Sequence, residues 1–110
     1  MRLRGIRKAS FMNDALVFLG LLFKGKQIII GTNVIGALKK KQIKAVLLAK
    51  DISELSESEI MEEVSKQKLL FVKAYMKSEI GSSIGKDIIT TVGFKNAKSY
   101  ETFIRKVERT

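Results

Sequence analysis

The chain has 110 residues but no cysteine, no histidine and no proline, with only two tyrosines and six phenylalanines. The absence of cysteine excludes a disulfide framework and any thiolate metal site. The absence of histidine removes the commonest general base and metal ligand. A serine nucleophile would have to borrow lysine or a carboxylate as its base, and no serine is evidently paired with one. The expectation is a non-catalytic protein without a cofactor. The few aromatic residues sit mostly at core positions of the pattern, which argues against a platform for stacking single-stranded bases. No linker, repeat or low-complexity tract interrupts the chain, and its length suits one hydrophobic core.

Long apolar runs are also missing. The longest, Ala15 to Phe23, has nine residues, against the roughly 20 that a spanning helix needs. Arg2, Arg4, Arg7 and Lys8 precede it in an order that imitates a secretory signal. However, Asn13 and Asp14 interrupt the approach, and no small-x-small cleavage site follows. A buried helix, no membrane partner and a cytoplasmic protein are expected. Residues 1–11 read as a flexible basic arm, with Met12 as a possible alternative start, and residues 12–110 as a single domain.

Charge is abundant and uneven. The net charge is +10 and the pI about 10.0, while the composition is 45% hydrophobic, as expected of a globular chain. Lys24 to Lys50 holds seven lysines and no acid; Asp51 to Glu63 holds six carboxylates and no base. Such an excess favours a polyanionic partner through counterion release. Within the basic stretch lies a strand-to-helix turn, Ile28-Ile29-Ile30-Gly31-Thr32-Asn33. A helix N-terminus offers unpaired amides and partial positive charge, which suit phosphate. The reading is an RNA-binding module whose lysines fringe that turn, with the acidic helix on the opposite side.

Helices and strands alternate along the chain. Asn13 or Asp14 caps a helix running to about Phe23 and ending near Gly25. Gln27 to Ile30 is a short strand, and Thr32 or Asn33 caps a second helix that ends in Lys39, Lys40 and Lys41. Ala45 to Ala49 is a fully buried strand. Ser56 and Glu59 have capping-box spacing and place the start of a third helix near Ser56. Leu69 to Tyr75 is a strand, Ser78 to Ile84 a short helix, and Ile88 to Phe94 a fourth strand. Asn96 opens a last helix with Ala97, Tyr100, Phe103, Ile104 and Val107 on one face. Strands separated by helices imply an α/β, three-layer α-β-α sandwich.

Three blocks then carry a family resemblance: Gly31-Thr32-Asn33, Ala45 to Ser53, and Glu79-Ile80-Gly81-Ser82-Ser83-Ile84-Gly85-Lys86. In this order and spacing they resemble the ribosomal-protein superfamily of kink-turn RNA binders, the L-seven-Ae and L-thirty-e group, and in particular its small bacterial YlxQ-like branch. The similarity runs from about residue 12 to the C-terminus. It implies a mixed four-stranded sheet between helices. It also implies an RNA surface made by the start of the second helix and two neighbouring loops.

On that resemblance Gly31, Thr32 and Asn33 would meet a kinked backbone and a sheared purine pair. Asn offers both a donor and an acceptor to a base edge. Lys50 and Asp51 fall at the family's acidic pair, and Gly85, Lys86 and Asp87 in the loop that flanks the RNA. Lys26, Lys39 and Lys40 add basic charge. Val34 and Ala37 stand where kink-turn readers carry glutamate and lysine, and Lys50 replaces a glutamate. Binding is therefore expected to rest more on backbone charge than on base readout, with a steep salt dependence. The partner would be ribosomal or other structured RNA, bound by a monomer.

Gly81 to Asp87 faintly echoes a phosphate-binding P-loop. Ile80 stands in place of the first glycine, Asp87 replaces the magnesium-holding hydroxyl, and a helix is expected there. Gly81 and Gly85 fit close packing and a helix end better. The competing reading is a protein-interaction module on the same fold, using the acidic third helix and the Ile80/Ile84 region.

Overall fold

The computed structural model describes residues 13–109; the proposed basic arm and Met12 lie outside them. Five helices alternate with four strands. They are α1 (Asp14–Lys24), β1 (Ile28–Ile30), α2 (Asn33–Lys39), β2 (Ala45–Leu48), α3 (Glu54–Gln67), β3 (Leu70–Lys73), α4 (Lys77–Ser83), β4 (Thr91–Phe94) and α5 (Ala97–Glu108). The sheet order is β1-β4-β2-β3. β4 is antiparallel to both β1 and β2, whereas β2 and β3 are parallel. The sheet is mixed and four-stranded, as the resemblance implied.

The period of two along each strand builds two cores. Ile28, Ala45, Leu47, Val92 and Phe94 face α1, α4 and α5, where Leu19, Ile80 and Phe103 are fully buried. Ile29, Val46 and Leu48 share the second core with α2 and α3, through Val34, Leu38, Ile60 and Val64. This is the expected three-layer sandwich. Phe94 packs edge-on to Tyr100 at 5.4 Å, and burial pushes the Tyr100 phenol above its ordinary value near 10.

Several boundaries differ from the sequence reading. α3 starts at Glu54 with Ser53 as its cap; Ser53 Oγ accepts from the Ser56 amide at 3.3 Å. The Ser56–Glu59 spacing therefore falls inside the helix. Ile52, just before the cap, is buried and fixes the earlier start. α4 begins at Lys77, where the Glu79 carboxylate accepts from the Met76 amide at 2.8 Å. β4 begins at Thr91, and Ile88 is exposed. Ile80 and Ile84 are both buried, so they are not available as an interaction surface.

No helix among the described residues is long and apolar enough to cross a membrane.

Candidate nucleic-acid interface

The strand directions divide the loops between two ends of the sheet. β1, β2 and β3 point the same way and β4 points against them. The loops leaving β1, β2 and β3 therefore meet the loop entering β4 at one end, called here the loop end. This end gathers Gly31, Thr32 and Asn33 with Lys50 and Asp51, whereas Gly85 and Lys86 follow the C-terminal end of α4 in the connection that leads to β4. Lys26 lies at the opposite end, just before β1. Lys39 and Lys40 close the far end of α2, about 10 Å from Asn33 along a seven-residue helix.

At the loop end, Gly31 has φ +66°, and its amide donates to Thr91 O at 2.9 Å. A side chain there would be conformationally strained, yet the space beside its Cα is open, the nearest atom to a Cβ being Ile89 Cδ1 at 4.0 Å. The backbone is thus accessible to close approach. The sequence pattern offers Thr32 or Asn33 as the cap of α2, and neither side chain caps it. Thr32 instead takes helical dihedrals and makes no side-chain cap, and Asn33 is the first residue of the helix. The turn is closed by the Val34 amide donating to Gly31 O at 3.1 Å. Both side chains are exposed, and neither has a hydrogen-bond partner among the described residues.

A shallow groove of about 240 Å³ opens beside this turn. Gly31, Thr32 and Ile35 form one wall, the first turns of α3 the second, and Ile88 to Thr91 the third. Glu59 is on the α3 wall. The acidic helix therefore adjoins the turn rather than facing away from it, because α2 and α3 both start from the loop end and pack side by side in one core. Val34 and Ala37 are buried in that core and contribute nothing to the surface.

The flanking loops are held by backbone bonds. The Lys50 amide donates to Tyr75 O at 2.8 Å, leaving its side chain exposed. Asp51 Oδ1 accepts from the Lys77 amide at 2.8 Å, which ties that carboxylate to the start of α4. Tyr75 is held at φ +67°, and its hydroxyl donates to Asn13 Oδ1 at 3.1 Å, the oxygen that also caps α1. Sequence patterning gave no sign of this Asn13–Tyr75–Lys50 brace, whose members lie up to 62 residues apart.

Gly85 closes α4 in the left-handed conformation at φ +76°, and Lys86 beside it is exposed. At Gly81 a Cβ would stand 2.5 Å from Asp87 O. The segment is therefore a helix folded tightly against its own exit, with no open phosphate loop.

No protein-family model matches the sequence, and no curated protein matches it. Solved structures do share the fold. A protein of unknown function from Bacillus halodurans C superimposes with a TM-score of 0.80 at 20% identity, covering 87% of this chain and 98% of that one. The Giardia lamblia 15.5kD RNA binding protein superimposes with a TM-score of 0.66 at 11% identity, over 94% of this chain and 90% of that one.

Proposed function

We propose that this protein is a non-catalytic RNA-binding protein that engages a structured, kink-turn-like RNA, ribosomal or ribosome-associated, through its loop end. The observation that carries the reading is the Thr32–Asn33 pair. Two hydrogen-bonding side chains stand exposed and unpaired on an ordered turn, beside a glycine whose backbone is open to close approach. Polar groups positioned but left unpaired by the fold can take a ligand's hydrogen bonds without first breaking their own. Lys50 and Lys86 on the neighbouring loops supply charge for phosphates.

The net charge of +10 and the shared fold with an RNA-binding protein of Giardia support the reading. Membership of the kink-turn superfamily, its bacterial YlxQ-like branch and a cytoplasmic setting belong to the same proposal. With Val34 and Ala37 committed to the core, base readout rests on Asn33 and the loops, and most of the affinity on phosphate contacts. Filter binding to kink-turn and uninterrupted RNA duplexes tests this. A preference for the kinked RNA that disappears in Thr32→Ala/Asn33→Ala is expected; a variant that keeps the parent protein's preference for the kinked RNA contradicts the site.

A second reading, a protein-interaction module, is favoured by the β3 edge, where Leu70 and Phe71 are exposed on a strand paired on one side only. It predicts a protein partner that stays bound after nuclease treatment, and no shift of either RNA.

A further inference from the structure

The end of the sheet opposite the loop end carries its own pattern. Three helices, α1, α2 and α3, finish there and turn into β1, β2 and β3. Each turn has the same pair of bonds. Lys26 N donates to Phe23 O and Gln27 N to Leu22 O; Lys41 N to Leu38 O and Gln42 N to Ala37 O; Lys68 N to Ser65 O and Leu69 N to Val64 O. These are three Schellman closures, and the left-handed residue of each is a lysine, with φ of 58°, 60° and 56°. Glycine is the residue this position favours, since a Cβ is disfavoured in left-handed backbone. The fourth closure of this kind, after α4, does use glycine, Gly85.

Helix-dipole complementarity does not account for the choice. The last turns of α1, α2 and α3 already hold Lys24, Lys39 and Lys66. A local preference for left-handed backbone would select glycine or asparagine instead.

What the three lysines share is position. The register places Lys44 and Lys95 at the ends of the adjacent strands β2 and β4, where the Lys44 amide bonds Phe94 O and the Lys95 amide bonds Gln27 O. Lys26, Lys95, Lys44 and Lys68 thus follow one another across four strands, a front of about 15 Å. Lys39, Lys41 and Lys44 also line a groove of about 540 Å³. Its one acid, Glu63, is occupied by Lys66 at 3.4 Å and by Gln67 at 3.3 Å. None of these front lysines pairs with a carboxylate among the described residues.

We infer that this lysine pole is a second RNA-binding surface, which takes the phosphate backbone of an RNA duplex without reading its sequence. The inference rests on the proposed RNA-binding function but assigns a separate site. Exposed ammonium groups in a row suit phosphates as point charges. The groove's apolar members are buried Ile43 and half-buried Leu69, so it offers neither an aromatic platform for unpaired bases nor an apolar anchor for a membrane surface.

The left-handed positions give a test in which binding and stability move in different directions. Lys26→Gly/Lys41→Gly/Lys68→Gly removes three charges and relieves three unfavourable backbone conformations. Its melting temperature is expected at or above that of the parent protein. Its affinity for an uninterrupted RNA duplex is expected to fall roughly 30- to 100-fold at moderate salt, with the log–log salt slope reduced by about 2 to 3. Lys44→Gln/Lys95→Gln, at ordinary backbone positions, should weaken the duplex in the same way. Unchanged duplex affinity and slope in both variants would overturn the second site. So would binding of the parent protein to phosphatidylserine vesicles but not to the duplex, which would assign the pole to a membrane. If kink-turn RNA stays sensitive to Thr32→Ala/Asn33→Ala while the pole variants bind every RNA normally, this inference alone fails. If the parent protein binds no RNA, the proposed function fails with it.

Discussion

At the scale of single residues, the candidate interface separates side chains that support the fold from side chains left free by it. Thr32 and Asn33 touch no partner, so replacing both by alanine should leave stability within about 0.5 kcal/mol while weakening RNA binding; thermal melting and filter binding on one preparation measure both. Asp51 behaves in the opposite way. Its carboxylate receives the Lys77 amide, so Asp51→Ala should cost about 1 kcal/mol through the start of α4, seen as a lowered denaturation midpoint. The sequence pointed to Gly31 and Asn33 correctly as members of one turn. It could not show that Asn33 is uncapped, because capping depends on backbone dihedrals that Thr32 adopts only in the folded turn. Nor could it show that Asp51 is spent on an amide 26 residues away.

At the scale of elements, the strands and helices were legible wherever apolar period and burial agree. β2 and α5 are clear cases: the first is buried along its whole length, and the second places Tyr100 and Phe103 in the core from one face. Boundaries were less legible where two capping patterns overlap, as at Ser53 and Ser56. Ser53→Ala should lower stability by about 1 kcal/mol, or roughly 5 °C in Tm, whereas Ser56→Ala should change little. The Ile88–Thr90 segment has the residues of a strand but reaches β4 only at Thr91, because the Ile89 amide is taken by Lys77 O at 3.1 Å rather than by a neighbouring strand.

The buried Tyr100 adds a pH dependence. Its pKa is raised in the folded state, so the folded form holds the phenolic proton more tightly than the unfolded chain does. The associated stability is complete below the unfolded value near 10 and is lost as pH rises through the folded one. Denaturant unfolding across that alkaline range should show a steeper decline than in Tyr100→Phe.

At the scale of the whole molecule, composition announced a cationic protein but not the arrangement of its charge. The lysines from Lys24 to Lys44 adjoin Asn33 in sequence, yet strand direction and the length of α2 carry most of them to the other end of the sheet. The acidic segment, read as the far flank, begins beside the proposed interface because α3 starts where β2 ends. Only topology decides such placements. The resulting polarity predicts that Lys39→Gln/Lys40→Gln weakens duplex RNA binding and flattens its salt dependence, with only a small loss of melting temperature through the α2 C-terminus since both side chains are exposed; a salt series of binding isotherms measures it. Charge at one end and free hydrogen-bonding groups at the other would let the protein hold RNA at two places.

The most direct test of the loop-end interface is amide chemical-shift mapping of isotope-labelled protein during titration with a kink-turn RNA. Saturable shifts centred on Gly31, Thr32, Asn33, Gly85 and Lys86 are predicted, with the buried amides of β2 undisturbed. Saturable binding that leaves those five residues unshifted, or a titration with no binding at all, would contradict the account.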